Sequence, residues 1–549
     1  MRHSRRSRWI SAPRRSRSGD RRMNALLAAL PLLGALAWIV ALRRSALGAG
    51  SLGIALSLAI AAVVPAFALD ANGVGLAILR GVLVASVVGY VIYFGLLLFR
   101  LTERSGAQAT LAEALAHLPG DRAARALILC IPVGAFFEAV SGFGLGIVVV
   151  APLLIGIGYS RRSAALLALF TQNAVPWGSS AIGIVFSGTL SGLSIDEIGL
   201  GCALLVAPVF LYYAVLTLVV AEDRGAATRH GAMAVVVGGS MAAAAWLGTR
   251  YLGVEPAMVV GGPIVTLIGI AWARWTSPAS SLTGMAVKEA DEGRLSPVRG
   301  GQVGVGRSTT PTTPATKHAG IPTGIGRAVV PYIVLVAALL ASRLVPPIRD
   351  ALRGVGVVRV PIVDFELALL YSSGFALLIA CVVAAAIGRL NGRAIAAQVA
   401  RTSRHWVRAF AALAGFTIMA EIMLRSGMTR ELATSVALAV GPGYALVAPA
   451  LGGLSGFLTG SNVAGSAMLL PFQLVAADRI SLSALVVTSA QNAAAAVFSM
   501  ASPARVVLAA AVAGEPRAEP TLIRAALVFC AGSLVLMTIA ELVWIAVRG

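Results

Sequence analysis

RALILCIPVGAFFEAVSGFGLGIVVVAPLLIGIGY, residues 125–159, decides the architecture of this chain. A membrane-crossing helix needs about 20 apolar residues, so this run is long for one span and short for two with a turn. "SGFGLG" (141–146) lies at its centre, and glycine permits a sharp reversal of the backbone there. The run therefore reads as a re-entrant hairpin or a broken helix. Irregular backbone at membrane depth is tolerated only where protein buries it or where it lines a cavity.

Outward from this stretch the chain remains apolar. Of its 549 residues 58% are hydrophobic and 12% charged, against roughly 25% charged in an ordinary soluble domain. The mean hydropathy is +0.87. Leu26–Ala41, Ser51–Leu69, Gly81–Phe99, Gly201–Val220, Ala328–Leu344 and Leu367–Ile387 each approach the length of a helical span. They are continuously apolar and do not alternate, which excludes barrel strands. The fold expected is an all-α polytopic membrane protein with about 12–14 transmembrane segments.

The net charge is +21. It sits between apolar runs, where it sets topology, so nucleic acid is not an expected partner. Nine arginines fall within residues 1–22, a basic arm suited to the cytoplasmic side and to anionic headgroups. Residues 389–408 are Arg-rich and read as cytoplasmic too. Cys130, Cys202, Cys381 and Cys530 are scattered through apolar runs and read as small buried hydrophobes. His3, His117, His230, His318 and His405 fall in the arm, in polar loops or at a span border, and none is set up as a metal ligand or catalytic group.

The stretch repeats. "SGFGLG" (141–146) is matched by "SGFLTG" (455–460) 314 residues later. Pro152 and Gln172-Asn173 are matched by Pro471 and Gln491-Asn492 at an offset of 319, and Arg104-Ser105-Gly106 by Arg425-Ser426-Gly427 at 321. Matches in the same order at a near-constant offset indicate duplication, the usual architecture of secondary transporters. The organisation expected is a basic arm (1–22), a first membrane repeat (23–225), connecting transmembrane helices (226–276), a Gly-, Thr- and Pro-rich polar loop (277–327) and a second membrane repeat (328–549). Each repeat would hold a hairpin followed by a helix interrupted at "TQNAVPWGSS" (171–180) or "SMASPA" (499–504), where Pro176 and Pro503 free backbone carbonyls.

Broken helices present free N–H groups with partial positive charge, which suit an anionic ligand. The polar side chains beside the breaks are Gln172, Asn173, Ser179, Ser180, Thr459, Ser461, Asn462, Ser466, Gln491, Asn492 and Ser502. The competing role for each is interhelical hydrogen bonding. Gly142, Gly144, Gly146, Gly456 and Gly460 form the hairpin turns. Glu138 lies inside an apolar run three residues before the first turn. Burial favours the protonated form of a carboxyl, so it suits proton uptake and release, or else it pins the hairpin by hydrogen bonds. Glu421 is set four residues before Arg425, the spacing of a helical ion pair. Arg80, Arg408 and Arg505 are cations near span ends, and Arg505 is placed to meet a carboxylate. No phosphate loop, dinucleotide fingerprint or metal cluster is present in the sequence. No cofactor is expected, and an ion gradient is the expected energy source.

At these residues the sequence resembles the lactate permease family of the wider ion transporter superfamily. "FFEAVSGFGLG" with "TQNAVPWGSS" is similar to that family's Glu-x-x-x-Gly-Phe-Gly hairpin and Asn-x-x-Pro helix. "FLTGSNVAGSAMLLPFQ" with "SAQNAAAAVFSMASPA" looks like its Thr-Gly-Ser hairpin and Asn…Ser-Pro helix, and "MLRSGMTRELA" fits as well. The resemblance implies two inverted repeats with opposed hairpins. It also implies proton-coupled uptake of lactate or a related 2-hydroxy monocarboxylate such as glycolate, and no enzymatic activity. The family's Lys before the Ser-Pro break is missing from Ser499–Ala504, which marks a divergent member: either Arg505 replaces that cation or the substrate differs. A sodium-coupled carboxylate carrier or an ion antiporter of the same superfamily is the other reading. The expected partners are the small carboxylate, the coupling proton and the lipid bilayer of the cytoplasmic (inner) membrane, and a homodimer is left open.

Overall fold

A computed structural model describes residues 18–40, 42, 44–142, 144–222, 224–276 and 324–548. Most of the basic arm (1–17), most of the polar loop (277–323) and Phe143 of the first turn lie outside the described residues.

The first half runs through α1 (Ser18–Val40), α2 (Ala46–Val63), α3 (Ala71–Arg104) and α4 (Ala107–Ala116). The stretch at 125–159 follows. Its first arm is α5 (Arg122–Ile128), a π turn at Leu129–Val133 and α6 (Gly134–Ser141), and its second arm is α7 (Leu145–Gly156). Then come α8 (Arg161–Leu169), a 3-10 stretch at Phe170–Trp177, α9 (Gly178–Ser191) and α10 (Ile195–Ala221). After the short α11 (Arg224–Arg229), α12 (Gly231–Leu252) and α13 (Ala257–Thr276) form the connecting pair. The second half comprises α14 (Ile325–Leu344), α15 (Pro346–Gly354), α16 (Ser373–Ile387), α17 (Gly392–Arg425), α18 (Met428–Val440), α19 (Tyr444–Thr459), α20 (Asn462–Arg479), α21 (Ala484–Ser499), α22 (Pro503–Ala513) and α23 (Glu519–Arg548). Among the described residues 12 helical stretches are long and apolar enough to cross a membrane. The chain is an all-α, multi-pass membrane protein.

Two runs end differently from the sequence expectation. Leu367–Ile387 was read as one helical run, but its start belongs to a small antiparallel ribbon that pairs Val357–Val360 with Phe365–Ala368. Pro361 and the left-handed Asp364 (φ 50°) turn that ribbon. The helix is therefore limited to the 15 residues of α16. Ser51–Leu69 yields a helix only to Val63, because Pro65 opens a separate 3-10 turn.

α3 and α17 form the spine. Each has 34 residues, roughly 51 Å of helix at 1.5 Å per residue. Their N-caps are equivalent at the repeat offset: Asp70 accepts from Gly73 N at 2.9 Å, and Asn391 from Ala394 N at 2.8 Å. Such caps satisfy end donors that lipid cannot. The two helices pack antiparallel. Arg80 pairs with Glu421 at 3.3 Å, Thr417 donates to Gly81 O at 2.8 Å, Trp406 to Gly89 O at 2.7 Å, and Tyr93 meets Ser403 at 3.3 Å. As one number rises, the other falls.

Packing between the halves is reciprocal. α1 lies on α18 while α14 lies on α4; α2 lies on α17 while α16 lies on α3; α7 lies on α22 while α9 lies on α20. Small residues allow the spine to close, as expected where lipid removes the hydrophobic drive between helices. A Cβ on Gly81 would come within 2.7 Å of Ile418 Cα, whereas one on Gly75 would meet nothing within 4 Å.

That contrast is testable by thermal melting in detergent. Gly81→Ala should lower the melting temperature, because overpacking costs about 1–3 kcal/mol against a gain of at most ~1 kcal/mol in helix propensity. Gly75→Ala in the same helix should raise it or leave it unchanged.

Candidate functional site

The first hairpin turns on two glycines, Gly142 (φ 66°) and Gly144 (φ 83°), in conformations that side chains disfavour. The turn folds back over the carboxylate of Glu138, which is 1% exposed. Gly144 N donates to Glu138 Oε2 at 3.2 Å, and Gln172 Nε2 donates to the same oxygen at 3.1 Å. Glu138 Oε1 faces Arg505 Nη2 of α22 at 3.6 Å, with side-chain exposures of 2% and 13%. The expected carboxylate and the expected cation thus meet, although they lie on opposite halves of the sequence. A Cβ on Gly144 would sit 2.6 Å from Arg505 Nη1, so the guanidinium would have to shift to make room for it. Nη1 itself is buried without a hydrogen-bond partner.

The first broken helix closes over this pair. Residues 170–177 are 3-10 with a non-helical kink at Ala174, and Ser180 and Ala181 take positive φ of 56° and 63°. A Cβ on Gly178 would lie 3.6 Å from Glu138 Cγ. Asn173 pins the break by donating to Phe170 O at 2.7 Å and to Cys130 O at 3.4 Å, in the π turn of the hairpin. Its Oδ1, Gln172 Oε1 and Ser180 Oγ are buried and unpartnered. The Ser179 side chain lies outside the described residues.

The second hairpin repeats the construction. α19 ends at Gly460 (φ 67°), and Ser461 caps α20 by accepting from Ala464 N at 3.3 Å. Thr459 donates to Ser455 O at 2.7 Å and Ser461 O at 2.8 Å. Gly460 faces Ser502: a Cβ on the glycine would lie 3.0 Å from Ser502 Oγ. Ser502 caps α22, accepting from Arg505 N at 3.4 Å, with Pro503 at the first helical position. Asn462 crosses to the first half, where its side chain packs on Gly183 of α9, and its Nδ2 is buried without a partner.

The Gln-Asn pairs do not all join one cluster. Gln491 donates to Ser455 Oγ at 2.9 Å and accepts from Gln473 Nε2, which ties α19, α20 and α21 together. Asn492 donates to Ser187 Oγ at 3.0 Å, a bond between the halves. The structure therefore draws Glu138, Gln172, Gly144, Ser502 and Arg505 together. It sets Gln491 in an interhelical link, Asn492 in the seam, and Asn173 against the hairpin. Gly146 and Gly456 serve close packing: their Cβ positions fall against Thr171 and the Ala495 carbonyl. Glu421 pairs with Arg425 at 3.6 Å as expected and also with Arg80 across the spine. The partners Ser455, Gln473 and Ser187 were not read from sequence. Among the described residues no group of three or more His, Cys, Asp or Glu could hold a metal ion.

Chemically, this is a buried cation held by an internal carboxylate at the N-terminus of α22.

Comparison with known proteins follows the same outline. The family model described as L-lactate permease matches residues 24–360 and 355–548. The L-lactate permease of Escherichia coli (strain K12) is 24% identical over 538 residues, 92% of this chain and 93% of that protein. The Bacillus subtilis (strain 168) L-lactate permease is 24% identical over 550 residues, 92% of this chain and 93% of its own length. The glycolate permease GlcA of Escherichia coli (strain K12) is 23% identical over 529 residues, 91% of this chain and 92% of its own.

The assignment of Gln491 to helix cohesion predicts that Gln491→Leu costs about 1–2 kcal/mol, read as a lower melting temperature in detergent. Gln473→Leu in the same background should add little more, because both act on one link.

Proposed function

The chain belongs to the L-lactate permease family, and from that premise we propose that it is a secondary active transporter carrying a small monocarboxylate, such as lactate or glycolate, together with a proton across the cytoplasmic membrane. The observation that carries this reading is the buried Glu138–Arg505 pair. Arg505 is the cation that a substrate carboxylate needs, and Glu138 occupies it in the substrate's absence. A proton on Glu138 neutralises the internal carboxylate and leaves Arg505 without a counter-ion in a nearly dry site. Such a charge is costly, so binding of an external carboxylate becomes favourable. Conversely, the bound carboxylate lowers the demand of Arg505 on Glu138 and favours its protonation. Proton and anion therefore bind with positive coupling, which is reciprocal by linkage.

The remaining groups have roles in the same reading. The Ser502-capped N-terminus of α22 and the Ser461-capped N-terminus of α20 supply N–H groups toward an anion. Asn462 Nδ2 and Arg505 Nη1 are donors without partners, suited to a carboxylate and a 2-hydroxyl. We read the two halves as inverted repeats, each with a re-entrant hairpin and a broken helix. The support is the antiparallel α3–α17 spine and the reciprocal packing of α7 on α22 and α9 on α20. The 12 residues of α7 reach only about 18 Å, short of a ~30 Å hydrocarbon core, which suits a hairpin that returns.

Purified protein in proteoliposomes tests the proposal with labelled lactate, glycolate and a dicarboxylate under imposed proton or sodium gradients. An inward proton gradient should drive accumulation of the monocarboxylates. Accumulation driven by sodium alone would replace proton coupling with the sodium reading. Glu138→Gln should lose accumulation driven by the pH gradient yet retain lactate counterflow. Arg505→Gln should lose both by about 30-fold or more, the scale of removing one partner of a buried charge pair.

A further inference from the structure

A cavity of about 200 Å³ opens beside the first hairpin, with Arg100, Ser141, Gly142, His405 and Leu508 in its wall. It adjoins the Glu138–Arg505 pair. Ser141 is one helical turn beyond Glu138, Leu508 is one turn beyond Arg505, and Leu508 and Arg505 both face Gly144. Two basic side chains thus share a small chamber. Among the described residues no carboxylate lies within ion-pair distance of Arg100, whose Nε is buried without a hydrogen-bond partner.

The repeat makes the imbalance specific. At the offset of 321, Arg80 corresponds to Arg401 and Glu421 to Arg100. Where one end of the spine joins Arg80 to Glu421 at 3.3 Å, the equivalent end places an arginine at the position of the acid. Arg100 is partly buried and His405 exposed, so this end of the spine presents cationic donors to the chamber and lacks the acid that the other end possesses.

We infer that this chamber is a second carboxylate-binding site, at which Arg100 and His405 capture the substrate anion before it passes one turn inward to Arg505. The apolar wall from Leu145 and Leu508 suits the carbon skeleton of a short monocarboxylate and offers no second cation cluster for a dicarboxylate. The inference rests on the reading of Arg505 as the carboxylate partner in transport.

Initial rates of labelled L-lactate and glycolate uptake, measured with the full chain in proteoliposomes, test it. Arg100→Gln should raise KM about tenfold or more, the weight of one charge-assisted hydrogen bond, with kcat near wild type. His405→Gln should raise KM by less, and Arg100→Lys should recover most of the affinity. Melting temperatures of the variants in detergent separate these effects from misfolding. A wild-type KM in Arg100→Gln, or a loss of kcat at unchanged KM in both Arg100→Gln and Arg100→Lys, overturns the inference while leaving the transport reading intact. Absence of lactate and glycolate uptake by the wild-type protein under every gradient defeats the transport reading itself, and this inference with it.

Discussion

The constraint on which the structure turns is the cost of holding Arg505 inside a membrane. A guanidinium cannot discard its charge, so it must have a carboxylate within reach. The nearest carboxylate comes from the other half of the chain. To bring it there, the first hairpin reverses within a few residues through Gly142 and Gly144 at positive φ. At 3.6 Å the gross attraction is roughly 4–5 kcal/mol at an effective dielectric of about 20, against several kcal/mol of desolvation for each ion. The pair is close to balance. In the proposed mechanism another carboxylate of similar geometry would compete with it on near-equal terms.

The same balance explains why polar groups near the breaks are distributed as they are. Gln491 bonds both Gln473 and Ser455 and so links three helices of the second half. Asn173 does the corresponding work in the first half by reaching the carbonyls of Phe170 and Cys130. Between the halves, Asn492 to Ser187, Asn462 over Gly183 and Glu138 with Arg505 lie beside the breaks, while the α3–α17 spine joins the halves through Arg80 with Glu421, Thr417 with Gly81 and Trp406 with Gly89.

Much of this was legible in the sequence because its causes are local. A 35-residue apolar run with glycines at its centre has to turn, and a glutamate beside that turn has to find a partner. The duplication was visible as ordered matches at offsets of 314 to 321. What stayed hidden depends on which helices meet. Arg100 closes an apolar run and reads as a snorkelling cation until α17 places His405 beside it. Gln491 and Asn492 look alike in sequence, but adjacent helical positions point about 100° apart, so one faces its own half and the other the seam. The ribbon at 357–368 was missed because its second strand merges with the apolar run of the following helix.

In the proposed proton symport, the membrane potential gives a reason for joining a proton to the anion. Moving one elementary charge costs about 2.3 kcal/mol per 100 mV, and a carboxylate alone would enter a negative interior against that field. Protonation of Glu138 and binding of a carboxylate to Arg505 leave the total charge of the site as it was in the resting pair: one cation and one anion. In that mechanism the site would pass between its empty and loaded states without a change of net charge, and the field would exert no bias on which is favoured. A site built on Arg505 alone would be cationic when empty and would carry a charge in one direction of every cycle. In the proposed mechanism Glu138 would remove that asymmetry.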